Sequence, residues 1–336
     1  MPLEVGPLPP GMANDSVQGC AACHPQVADQ WALGPHAAGP SPALIEAARG
    51  QPACLSCHLP LASQHESLYD YDGGRLDRPV PRPNPGFEAT LAIEAVTCGA
   101  CHLRDGAVAV GTPEAAAAAA PHPMVYADRL VESEACASCH QLSWPGADQP
   151  LYDTFGEWER SGFAEMGITC QGCHMLGAAD GSLGADHEVH LDPGRAVSVL
   201  LEAPTLKLVR GGAPLPAKLT LQNTGAGHAF PTGSPFRAVR LEAALVRTAE
   251  PGSADDALRM PQLTVDLARR VSPEPPFGLE ADTRLQAGEA RAFEVPLALP
   301  QEVPPGAWQL EVSLVRTVRG APTERLVARR WSLEVE

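Results

Sequence analysis

Aromatic side chains are scarce in this chain: Phe, Trp and Tyr make up 5 % of its 336 residues, beside 35 Pro and 31 Gly. Rings that each bury about 150–250 Å² therefore fill little of its interior. Lysine is missing from residues 1–192, which hold 7 Arg against 24 Asp plus Glu. Residues 193–336 hold 17 Arg plus Lys against 16 acids, so the net charge of −16 sits on the first part. The lack of a basic excess argues against a nucleic-acid partner. No run approaches the ~20 consecutive apolar residues of a membrane-spanning helix. The start, Met1-Pro2-Leu3-Glu4, lacks the basic stretch and apolar core of a secretory leader. There is also no cysteine to spare, because all ten fall in five copies of one pentapeptide.

The copies read CAACH at Cys20–His24, CLSCH at Cys54–His58, CGACH at Cys98–His102, CASCH at Cys136–His140 and CQGCH at Cys170–His174. Cys-x-x-Cys-His is the attachment signal for c-type haem. Two thiols one helical turn apart lie on one face, and each can add across one vinyl group of a porphyrin. The following His then serves as proximal iron ligand. A zinc knuckle or a redox pair does not require that His. With 11 His in the chain, a chance His after every pair is negligible. The motifs predict five covalently attached haem c groups, tethered by Cys20, Cys23, Cys54, Cys57, Cys98, Cys101, Cys136, Cys139, Cys170 and Cys173. His24, His58, His102, His140 and His174 are the proximal ligands. Porphyrin plates would take the place of the missing rings, leaving the first part largely unfolded without them. Haem c is attached outside the bacterial cytoplasmic membrane, which predicts a periplasmic or extracellular protein whose leader has been removed.

Motif spacings of 34, 44, 38 and 34 residues are too irregular for a solenoid. Residues 1–15 read as an extended arm, and a short helix carries Cys20, followed by Val27–Leu33 and a stop at Gly34-Pro35. Ser41 and Pro42 open a helix over Ala43–Arg49 that Gly50 closes. Residues 72–87, rich in Pro and Gly, read as a loop. Thr112-Pro113-Glu114 before six alanines reads as a capped helix or as a linker. A further helix is predicted from Asp153 through Glu159.

The pattern changes near Pro193. Thr205–Val209, Ala217–Asn223, Val239–Arg247, Leu263–Leu267, Ala290–Ala298, Trp308–Arg316 and Leu326–Val335 are alternating or β-rich runs between turns. The expected fold is mixed. Residues 1–192 form a mainly α or irregular multihaem domain of short helices. Residues 193–336 form an all-β immunoglobulin-like sandwich that contributes a distal haem ligand.

Five irons need up to five distal ligands, and six further histidines are present. His36 sits in a rigid Gly-Pro-His-Ala turn, and His122 has its backbone nearly fixed between two prolines. His187 and His190, three apart, would project the same way from a helix and serve two neighbouring haems. His228 lies in a Gly-rich loop stiffened by Pro between two strands. His65, on a polar stretch, is the least favoured; Met12, Met124, Met166 and Met175 are fallback axial ligands. Imidazole on both sides of the iron leaves no face open for substrate.

CxxCH followed by Trp and a Gly-Pro-His-Ala turn, then CHLPL and CGACHLRDG, resembles the multihaem cytochromes c related to the tetrahaem electron acceptor of hydroxylamine oxidoreductase. CQGCHM with a His-x-x-His segment, and the AGHAFPTG loop, match a branch carrying a C-terminal β-domain. The resemblance implies closely paired bis-His haems, export and electron transfer, with His36, His122 and His228 as distal ligands. The expected function is single-electron relay without bond chemistry, through redox partner proteins with a basic docking surface. Two alternatives stay open. One is a reductase or oxidase of small nitrogen or sulfur compounds with one open haem. The other is a homo-oligomeric subunit of an extracellular haem filament.

Overall fold

The computed structural model describes residues 2–48, 52–71, 78–177, 184–247 and 258–336. Ten α-helices occur among them: α1 (Val17–Ala21), α2 (Pro25–Leu33), α3 (Pro42–Ala48), α4 (Cys98–His102), α5 (Pro113–Ala117), α6 (Glu134–His140), α7 (Thr154–Glu159), α8 (Gly162–Glu165), α9 (Cys170–His174) and α10 (Pro193–Ala196). None exceeds the 9 residues of α2, too short to persist alone in water. Local chemistry starts them. The Ser16, Thr112, Thr169 and Asp192 side chains accept the amides of Gly19, Ala115, Gly172 and Arg195 at 3.0–3.1 Å. Thr112 thus makes the alanine run a helix at its start, and Ala118 is already extended. The predicted end of α3, Arg49 and Gly50, lies outside the described residues. Among the described residues no helix is long and apolar enough to cross a membrane.

The chain divides into two compact units. The cysteine-bearing unit comprises Met1–Gly146 and Met166–Leu191. It contains β1 (Ser67–Tyr71), β2 (Pro79–Pro83), β3 (Leu103–Arg104), β4 (Ala107–Val110) and β5 (Met124–Tyr126). β1 and β2 pair antiparallel, Ser67 opposite Pro83 and Tyr71 opposite Pro79. Prolines at every second position of β2 lie on one side of the strand, as an edge strand allows. β4 pairs antiparallel with β3 and parallel with β5.

The second unit comprises Ala147–Glu165 and Asp192–Glu336. Its strands are β6 (Val197–Glu202), β7 (Lys207–Leu208), β8 (Leu215–Asn223), β9 (Arg237–Arg247), β10 (Leu258–Leu267), β11 (Arg269–Val271), β12 (Leu279–Asp282), β13 (Ala290–Leu297), β14 (Gly306–Val318) and β15 (Ala321–Val335). They form a five-stranded sheet, β10-β9-β14-β15-β7, a three-stranded sheet, β13-β8-β6, and the β11-β12 pair. Alternation drives this. Ala217, Leu219 and Leu221 on β8 meet Leu241, Leu245, Leu310, Val312 and Leu314 in one core with Trp308. The inward positions are almost wholly buried, each side chain contributing roughly 1.5–3 kcal/mol.

The structure corrects the expected fold class. Helix accounts for 22 % and strand for 34 %, with fifteen strands spread over several sheets. It is therefore not a mainly helical domain followed by an immunoglobulin-like sandwich. Strands β1–β5 run through the cysteine-bearing unit, and β2 falls within residues 72–87, where the Pro and Gly content predicts a loop. Each of the seven predicted β-rich runs has a strand, and β6, β11 and β12 are additional.

Candidate haem sites

Every Cys-x-x-Cys-His occupies a tight helical turn. α4 and α9 are the motifs themselves, α6 ends on His140, and α1 carries Cys20. The second motif sits on the 3-10 turn Pro52–Leu55, where the His58 amide donates to the Leu55 carbonyl at 2.9 Å. None of the ten cysteines is joined to another by a disulfide. Three contacts join thiols of different motifs: Cys20 with Cys98, Cys57 with Cys139, and Cys136 with Cys170. The hydrogen bond in each pair pushes one thiol up (Cys57, Cys98, Cys136). It pulls the partner down, Cys139 and Cys170 to about 6. The attachment points of the first and third, second and fourth, and fourth and fifth motifs are thus neighbours.

A metal–imidazole bond is about 2.0–2.1 Å and the ring centre lies about 1 Å beyond the nitrogen, so two imidazoles opposite one another on one metal have centroids about 6 Å apart. Two pairs meet this requirement. The rings of His36 and His140 have centroids 6.4 Å apart, and those of His102 and His187 are 6.1 Å apart. Each pair joins a motif histidine to one outside the motifs. Burial pushes His36, His102 and His187 below the ordinary histidine pKa, so they are held as the neutral rings a metal takes. His102 Nδ1 donates to the Ala109 carbonyl at 2.7 Å, and His187 Nδ1 to the Ala185 carbonyl at 2.9 Å. Such bonds fix the tautomer that carries its lone pair on Nε2. The donor set therefore fits haem iron at these positions.

Long-range contacts bring the pairs together. Trp31 Nε1 donates to the Val96 carbonyl at 2.8 Å, and the Val96 amide donates to the His36 carbonyl at 3.0 Å. The Gly-Pro-His turn is thereby tied to the approach of the third motif. Gly34 has no room for a Cβ against the Glu188 carbonyl, so only glycine lets this turn reach the segment that carries His187. The β4 strand supplies the carbonyl that orients His102, and its Val108 amide donates to Pro123 at 2.9 Å, fixing the Pro-His-Pro segment. His122 Nδ1 there is buried without a hydrogen-bond partner.

The remaining histidines differ. His174 Nδ1 donates to the His190 carbonyl at 2.8 Å, so His190 acts on the fifth motif through its backbone. The His190 ring faces carboxylates, with Nε2 2.8 Å from Asp186 and Nδ1 3.5 Å from Glu188. The Asp186 bond raises its pKa. The helix expected to align His187 with His190 is absent: Val189 between them has φ 56°. His65 Nε2 donates to the Leu59 carbonyl at 2.6 Å. Met166 is exposed, Met124 opens β5 and Met175 caps α9. His228 Nδ1 donates to the Ala229 carbonyl at 3.0 Å, in the second unit. The carbonyls of Ala109, Ala185 and His190 carry no sequence signal, since any residue supplies one.

Cys-x-x-Cys-His turns among short helices and small sheets, in a chain that also holds a β unit, make a multihaem cytochrome c-like fold. The same fold occurs in the penta-haem cytochrome c552 from Thermochromatium tepidum, matched over 94 % of this chain and 97 % of that one, with 19 % identity and a TM-score of 0.61. Spo0M, a sporulation control protein from Bacillus subtilis, overlaps 42 % of this chain and 49 % of its own, at 12 % identity and a TM-score of 0.25. A mutant β-glucosidase from Listeria innocua overlaps 42 % and 16 %, at 15 % identity and a TM-score of 0.23. No family model matches the chain, and no curated protein sequence does.

Proposed function

We propose that the chain is an exported pentahaem c-type cytochrome that carries single electrons and performs no bond chemistry of its own. The observation that supports this most is the twofold pairing of a motif histidine with a distant one at the spacing of a shared metal. Haem c would supply a one-electron iron couple at each motif. The chain's ten cysteines tether, and His24, His58, His102, His140 and His174 ligate on the proximal side. His36, His122 and His187 would serve the distal side. The Nδ1–H bonds to carbonyls hold the rings in one tautomer, and ligation on both sides excludes substrate from the metal. Each of the five motifs has an attachment point beside one of another motif, which favours relay over isolated centres. Export follows from where haem c is attached. The acidic first 192 residues suit a redox partner with a basic face.

The test is a count of spin states. Mass spectrometry of matured protein should show five haems, and electron paramagnetic resonance of the oxidised form should show low-spin iron. A high-spin iron that binds nitrite or hydroxylamine would replace the relay reading with a reductase. Loss of one low-spin signal on dilution would indicate a filament subunit instead.

A further inference from the structure

Cations are few in the cysteine-bearing unit, and two of them meet at one motif. Residues 1–192 hold 7 Arg and no Lys. Arg104, at the end of β3, turns back on α4. Its Nη1 donates to the Leu103 carbonyl and to the Gly99 carbonyl at 3.4 Å, and its Nη2 to the Ala100 carbonyl at 2.9 Å. Arg129 lies in the 3-10 turn Asp128–Leu130, and its Nη2 donates to the Cys101 carbonyl at 3.4 Å. Carbonyls of three successive residues of the third motif thus accept from guanidinium groups.

Both charges act on the Cys101 sulfur and on the His102 ring. They also act on each other: burial and then the Arg129 charge press the Arg104 pKa below its usual value. Arg82, in the same unit, pairs with the carboxylates of Glu4 and Asp70. Arg104 and Arg129 instead bond neutral carbonyls, which leaves their charge to act on the motif. Asp105 offsets part of it at Arg104, and Glu94 acts on Cys98 at the start of the same turn. The first motif has opposite surroundings, because Glu94 and Asp15 both act on Cys20. Ferrous iron carries one positive charge fewer than ferric, so a nearby cation favours reduction and a nearby anion opposes it.

We propose that Arg104 and Arg129 raise the reduction potential of the iron held between His102 and His187 above those of the other four, so that electrons entering the chain collect at the third motif. The inference rests on reading those two histidines as ligands of one iron.

The experiment is a stepwise reduction of haem-loaded full-length protein, followed by visible absorbance and by magnetic resonance of the low-spin irons. The low-spin signal that disappears first should be the one that His187→Ala turns high-spin. Arg129→Gln removes one charge and one long backbone bond. It should disfavour that first step about tenfold, or about 59 mV for one electron, and shift the other steps by less. Arg129→Lys keeps the charge and should keep the potential, which a purely structural role would not do. Arg104→Gln should lower the same step, and it carries the test if Arg129→Gln fails to fold. If His187→Ala opens no iron, the ligand reading fails. The tuning role is overturned if the iron it opens is not the first reduced, or if neither glutamine variant moves the first step. It is equally overturned if Arg129→Lys lowers that step as far as Arg129→Gln does.

Discussion

His36 and His190 make opposite demands at the scale of single residues. The His36 ring is a neutral imidazole 6.4 Å from the His140 ring, so His36→Ala should turn one low-spin iron high-spin. Magnetic resonance should show that change, and added imidazole should reverse it. The pair formed by His102 and His187 should be untouched. His190→Ala should leave the low-spin count unchanged, because that ring spends both nitrogens on Asp186 and Glu188. A new high-spin signal in His190→Ala would return His190 to the ligand set and remove the basis for excluding it. Position in sequence treats these histidines alike. Only the carboxylates on one and the facing ring on the other separate them.

Local chemistry set the elements that were legible beforehand. Thr112 and Pro113 start α5, and alternation over Ala217–Asn223 and Trp308–Arg316 marks strands, because caps and period-two burial act over a few residues. The histidine pairing was not legible, since Trp31 to Val96 and Gly34 to Glu188 are tertiary contacts. β2 was missed because its prolines read as loop until an edge strand accommodates them. On the outer side of β14, Glu311 shows what such tertiary placement does to charge. It takes Arg259 of β10 at 2.6 Å and Arg330 of β15 at 2.7 Å. Burial works against its ionisation, but the pairs with Arg330 and Arg259 prevail and hold its carboxyl below the usual range. A depressed folded pKa gives stability present above the unfolded value of about 4.3 and lost as pH falls through the folded value. Glu311→Gln should cost roughly 1–3 kcal/mol at neutral pH. It should also flatten the fall in melting temperature between about pH 5 and 3. Equal steepness in both proteins would show that the acid limb arises elsewhere.

Across the whole molecule, core and cofactor are divided unequally. The core gathered around Leu219, Leu241, Leu310 and Trp308 draws on the second unit alone. The cysteine-bearing unit buries residues such as Leu61, Leu91 and Leu103 outside that core. With 5 % aromatics in the chain, that unit would need porphyrin to offset the entropy of ordering its loops, about 1–2 kcal/mol per residue. Chain made without haem attachment should therefore fold in part. Hydrogen exchange followed by mass spectrometry should show strong protection over β6–β15 and near-complete exchange around the five motifs. The deciding segment is α7, which lies between the fourth and fifth motifs in sequence but bonds to Ala229, Thr232 and Arg284 of the β unit. It should be protected with the strands, flanked on both sides by stretches that exchange. If α7 exchanges together with the motifs, its bonds to Ala229, Thr232 and Arg284 do not hold it in the β unit.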